Sequence, residues 1–225
     1  MVQYRAVKET RDIPVILYYG TYRKDGKGRP EDLDARYATA DLICTEAQDI
    51  LSAGKADLPE LWKPSLNMRL GQCLGGKPRP FGIIHSCPGM DWRHTGLPAA
   101  EYEFWMSQIP ASGGRLWHSL TGFDATITDK RLLRSVKRIN TGAEISGGLM
   151  REAVFAADIL LLWDAGISCL NAVDAMMRCH IPFDLCDGAH VAPEILMKYR
   201  TVFLPDGFDA DERLCSMLLS YVEAG

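Results

Sequence analysis

The sequence predicts an α/β fold in two successive parts, half of a (β/α)8 TIM barrel and then an open doubly wound sheet. Three observations support this. Short apolar, β-rich runs alternate with stretches of helical periodicity from residue 13 to the end. In the first part, polar residues able to carry chemistry fall just past the apolar runs, where a barrel places its active site. Between Thr141 and Gly148 the texture turns small and polar, as in a linker.

The elements follow in order. Ile13 to Tyr19 is an apolar run closed by Gly20, the first strand. A polar, Gly-rich loop leads to a helical stretch at Glu31 to Ala38, and Ala40 to Thr45 is the second strand, ending at Glu46. Leu61, Leu66 and Leu70, with Trp62 and Met68 between, give a helix stopped by Gly75 and Gly76. Phe81 to Ile84 is the third strand. Leu97, Ala100, Phe104 and Trp105 recur at helical spacing up to Gly113 and Gly114. Arg115 to Leu120 is the fourth strand, and Asp129 to Ile139 a basic helix. The second series runs strand 159–163, helix 168–179, strand 182–186, helix 193–198, strand 201–204 and helix 209–222. In that last helix Leu214, Met217, Leu218 and Tyr221 form one stripe, with Asp209 and Asp211 near its positive end. Four strand–helix units make half a barrel with open edges, so further strands are expected outside this sequence.

Composition narrows the function. The 225 residues are 47% hydrophobic and 24% charged, as in ordinary globular proteins, and can bury a substantial core. A net charge of -4 provides no basic field for phosphate backbones, so a nucleic-acid partner is not expected. The longest apolar runs are too short to span a bilayer, and no signal-peptide pattern follows Met1, so no membrane partner is expected. Seven scattered cysteines, an odd number in apolar settings, read as reduced thiols and a cytoplasmic location. No metal and no cofactor are expected. His85, Cys87 and His94 match no zinc-ligand spacing, and Cys169 lies in no Gly-x-Cys-x-Gly elbow.

Two segments carry a family likeness. PFGIIHSCPGMDW (80–92) resembles the seventh barrel strand of bacterial β-galactosidases that carry a trimerisation domain, and SGGRLWHSLTGFD (112–124) resembles their eighth. Residues 152–225, notably HIPFDL (180–185) and YRTVFLP (199–205), resemble the first half of that trimerisation domain. Its fold is flavodoxin-like, of the class I glutamine-amidotransferase type without the amidase. TEAQ (45–48), LWKPS (61–65) and the Gly113–Gly114 pair are similar to hypothetical glycosyl hydrolases related to α-L-fucosidases. The resemblance implies the C-terminal half of a glycosidase barrel over residues 1–143 and part of a trimerisation domain over 150–225. It also implies a carbohydrate substrate and a homo-oligomer, with a trimer as the form.

Glycoside hydrolysis ordinarily needs two carboxyl groups. Aligned on the shared proline and tryptophan, His85 stands where the β-galactosidases keep their nucleophilic Glu, and an imidazole forms no glycosyl ester. The candidate acid is then Glu46, whose burial at a strand end is expected to raise its pKa as a general acid/base requires; the rival role is a loop cap or salt bridge. His85 and His118 end neighbouring strands and are candidates for binding sugar hydroxyls, or else are core or rim histidines. Trp92 and Tyr19 are candidate stacking platforms, whereas Trp117, inside a strand, reads as core. Asp91 and Arg93 flank Trp92 as ligand contacts or as a local ion pair, and Asp124 follows the last barrel strand. The expectation is a glycoside hydrolase acting on a terminal α-L-fucosidic or β-galactosidic bond, inactive as this chain alone. The alternative is a non-catalytic carbohydrate-binding or assembly subunit.

Overall fold

The computed structural model describes residues 2–18, 38–48, 60–73, 78–122, 126–127, 129–164 and 166–225. Chain order is α1 (Val2–Thr10), β1 (Ile16–Tyr18), β2 (Leu42–Glu46), α2 (Lys63–Cys73), β3 (Phe81–His85), α3 (Ala99–Ala111), β4 (Arg115–Ser119) and α4 (Arg131–Glu152). Then come β5 (Ile159–Trp163), α5 (Ile167–Arg178), β6 (Phe183–Asp187), α6 (Pro193–Leu196), β7 (Thr201–Phe203) and α7 (Glu212–Glu223). The molecule is a mixed α/β protein with two parallel sheets, ordered β1-β2-β3-β4 and β6-β5-β7.

Strand periodicity gives the first sheet two unlike faces. Ile43, Thr45, Ile84, Leu116 and His118 face the helices, where Ile84 joins Met68, Tyr102, Trp105, Met106 and Ile109 in a dry cluster. Gly82 lies on this face because a methyl group there would overlap Ile109 of α3. The opposite face carries Tyr18, Glu46, Phe81, His85, Arg115, Trp117 and Ser119, and much of it meets solvent. Just past α3 stands Gly113, whose φ of 79° is left-handed and costs a glycine little; the Gly113 and Gly114 N–H groups return to the Pro110 and Ile109 carbonyls.

Helices cover the second sheet on both faces. Leu161, Trp163, Phe183 and Leu185 pack on Cys169, Val173 and Met176 of α5. Leu160, Leu162 and Cys186 pack on Leu196 and Leu214 of α6 and α7. α2 belongs to both halves: Met68 enters the first cluster, while Leu66 and Leu70, with Trp62 just before the helix, enter the second. Polar links reinforce the joint. The Trp62 indole donates to Asp174 at 2.8 Å, Arg69 pairs with Asp184, and the Arg69 guanidinium lies 3.6 Å from the Phe155 ring centroid.

Three elements differ from the sequence expectation. α1 was not anticipated; it is mostly polar, and Tyr4 and Lys8 bind it to Asp41 just before β2. The regular part of β1 is shorter than the apolar run, starting at Ile16. The stretch 141–148, expected as a linker, lies inside α4. Arg79 sustains that helix by donating to the carbonyls of Met150, Arg151 and Ala153 at its C-terminal end. The helix expected at 31–38 lies almost wholly outside the described residues.

Candidate functional site

The carboxyl ends of β1, β2 and β3 bring three polar side chains together. Glu46 Oε1 lies 2.9 Å from His85 Nε2, and the Tyr18 hydroxyl donates to the same carboxylate. The register explains this. Tyr18 stands opposite Cys44, two residues before Glu46, and Glu46 stands opposite Ile83, two before His85, so all three share the open face. The Glu46 side chain is 51% exposed and that of His85 26%, so ligand can reach both. Behind them the Gln48 side-chain carbonyl accepts the His85 main-chain N–H, which fixes the end of β3.

The electrostatics of Glu46 run opposite to the sequence expectation. Burial pushes its carboxyl pKa up, but the hydrogen bonds from Tyr18 and His85, with the charges of His85 and Lys63, outweigh it, and the net direction is down. A carboxylate held in the ionised form suits an acceptor or a base, not an acid at neutral pH. Tyr18 shifts the other way, its hydroxyl proton retained by burial and by its bond to Glu46.

Past β3 the chain folds into a short 3-10 turn at Met90–Trp92. Ser86 organises this loop: its carbonyl accepts from Leu97 N and its hydroxyl from Thr121 N. Asp129 closes the loop by accepting the Gly96 N–H at 2.7 Å and the Arg131 guanidinium; that cation holds its carboxyl well below the usual range. Between these segments lies a cavity of about 20 Å³, lined by Ser86, Arg93, His94, Thr121 and Asp129. That is room for about one water molecule.

The sequence-derived candidates therefore separate. Glu46 and His85 are in direct contact. Asp91, Trp92 and Arg93 lie on the exposed loop beyond β3, with Trp92 66% exposed. His118 turns to the helical layer, its ring held between the Tyr102 hydroxyl at 2.7 Å and Asn140 at 3.3 Å. Burial lowers its pKa, partly offset by Asn140. Tyr19 and Asp124 lie outside the described residues. Two participants were not singled out from sequence, Tyr18 and Gln48, and a third, Trp117, was weighed as a stacking platform and assigned to the core. Trp117, expected in the core, is 40% exposed on the open face, edge-on to Phe81 with ring centroids 6.1 Å apart. Alternation along β4 was a partial signal, since it sets Trp117 and His118 on opposite faces; that Tyr18 shares the face of Glu46 and Trp117 that of His85 follows from the register between strands. No group of three or more metal-ligating side chains occurs among the described residues. No helix among them is long and apolar enough to cross a membrane.

No protein-family model matches this chain, and no curated protein does. A solved structure does match. It is the crystal structure of a β-galactosidase from Bacillus circulans sp. alkalophilus, with a TM-score of 0.67 at 15% identity. The match covers 95% of this chain and 35% of that one, so the chain spans about a third of its neighbour's length. The likeness is one of fold, and the relationship it supports is distant.

Proposed function

We propose that this chain is the C-terminal half of a glycoside-hydrolase-like (β/α)8 barrel (1–143) joined to part of a flavodoxin-like domain (150–225). Its strand-end cluster binds a carbohydrate. The observation that carries this reading is the meeting of Tyr18, Glu46 and His85 from three consecutive parallel strands at their carboxyl ends, on the solvent-facing side of the sheet. Trp117 supplies an aromatic face beside them, Ser119 a hydroxyl, and the Trp92 loop a rim. The substrates in view are terminal α-L-fucosides and β-galactosides, and the complete assembly is a homo-oligomer.

The ionised state of Glu46 favours a binding or positioning role over that of the protonating acid. Hydrolysis needs a second carboxyl group at a defined separation on the other side of the bond. On this reading the isolated chain binds sugar and does not turn it over. Titration calorimetry with D-galactose, L-fucose and their methyl glycosides, run beside aryl-glycoside assays, tests it. Millimolar or tighter binding that weakens in Glu46→Gln, without turnover, is expected. Absence of binding across that panel defeats the reading, and turnover by the isolated chain removes the inactive half of it.

A further inference from the structure

The Glu46–His85 contact has a direction. Glu46 accepts from the Tyr18 hydroxyl and lies within the influence of Lys63, so its oxygens act as acceptors and the proton between the partners sits on His85 Nε2. When the ring is neutral, a proton on Nε2 leaves a lone pair on Nδ1. Among the described residues the ring bonds to Glu46 alone, and no described group takes that lone pair. A second observation lies on the neighbouring group. Gln48 is 6% exposed, its Oε1 is taken by the His85 main chain, and its buried Nε2 has no acceptor. Gln48 thus anchors the main chain that carries the ring, while the ring itself offers an acceptor at Nδ1, which a hydroxyl donor satisfies.

We propose that His85 Nδ1 is the ligand-contacting acceptor of this site, taking a hydrogen bond from a polyol hydroxyl, and that Glu46 is its positioning residue, holding the ring in the Nε2–H tautomer. The proposal rests on the carbohydrate reading for its ligand class, while the tautomer stands independently of it. It reassigns the two residues. The carboxylate works through the imidazole, as a carboxylate orients a histidine in hydrolase triads and metal sites, and the imidazole meets the ligand.

Two measurements on the full chain decide it. Imidazole nitrogen NMR of the labelled protein, with His85 assigned by difference against His85→Gln, reads the tautomer. A protonated Nε2 is expected, and in Glu46→Ala, which removes the acceptor, the preference is expected to be lost. An Nδ1–H ring in the wild type, or the same tautomer in Glu46→Ala, overturns the positioning role. Calorimetry with methyl β-galactoside and methyl α-L-fucoside then compares two variants. His85→Asn keeps a polar atom near the Nδ1 position, and His85→Gln keeps one near the Nε2 position. His85→Asn is expected to stay within about threefold of wild type and His85→Gln to lose about tenfold or more, the share of one hydrogen bond. The reverse order overturns the contact. Failure of the wild type to bind either glycoside overturns the ligand class, and the tautomer still confirms or refutes the dyad.

Discussion

Leu66→Ala is the perturbation that reaches furthest into this structure, because α2 is shared by both sheets. Leu66 is fully buried, in a cluster with Leu161, Trp163 and Val173 of the second half, while Met68, two residues on, packs in the first. The substitution deletes three carbon groups, each worth about 0.8 kcal/mol of transfer free energy. The cluster around Leu66 includes the rigid indoles of Trp62 and Trp163, so a cavity term adds to the loss. The total belongs at about 3–4 kcal/mol, inside the range for buried leucines. Urea unfolding followed by tryptophan fluorescence measures the loss, and native-state amide exchange shows where it is felt. Exchange is expected to accelerate in β5 and β6 as well as in α2. Ile145→Ala, on an exposed turn of α4, is the control and should change stability by less than about 0.5 kcal/mol. A loss below about 1 kcal/mol for Leu66→Ala, or acceleration confined to the first sheet, would refute α2 as the shared element.

The remaining predictions concern single features. Gly82→Val places a branched side chain against Ile109 and Met68, and a loss of about 2 kcal/mol or more is expected in thermal unfolding. A carboxyl whose proton affinity is depressed by folding stabilises the fold while it is ionised. The stability difference between wild type and Glu46→Gln should therefore be present above pH 4.5, the ordinary glutamate value, and fade as acid titrates the folded carboxyl; urea midpoints across that range check it. Burial pushes the Cys44, Cys169 and Cys186 thiols up to about 12. Iodoacetamide at pH 8 is then expected to modify the exposed Cys179 and Cys215 first, with the other five protected until unfolding, as read by peptide mass spectrometry.

Much of the fold was legible because the apolar runs are short, β-rich and regularly spaced: β2 to β7 lie where the periodicity sets them. Helix α4 was misjudged in its second half. Thr141, Gly142, Gly147 and Gly148 are poor helix formers, and the donor that satisfies the helix end, Arg79, lies some 70 residues upstream. α1 was missed because its support is a lysine and a tyrosine meeting Asp41, a contact without local periodicity. At the site, the strand-end rule found Glu46 and His85 but not their pairing, since a register between strands cannot be read from one strand. The same blindness assigned Trp117 to the core and let His118, one residue away on the opposite face, stand as a ligand contact. The direction of the Glu46 shift was misjudged because the sequence shows burial but not the two hydrogen bonds that outweigh it.

The most direct test of the central claim is amide and side-chain NMR shift mapping of the intact chain during titration with galactose and fucose. Saturable shifts clustered at Tyr18, Glu46, Gln48, His85, Trp117 and Ser119 are expected. Shifts confined to the ends of β5 to β7, or none with either sugar, would contradict it.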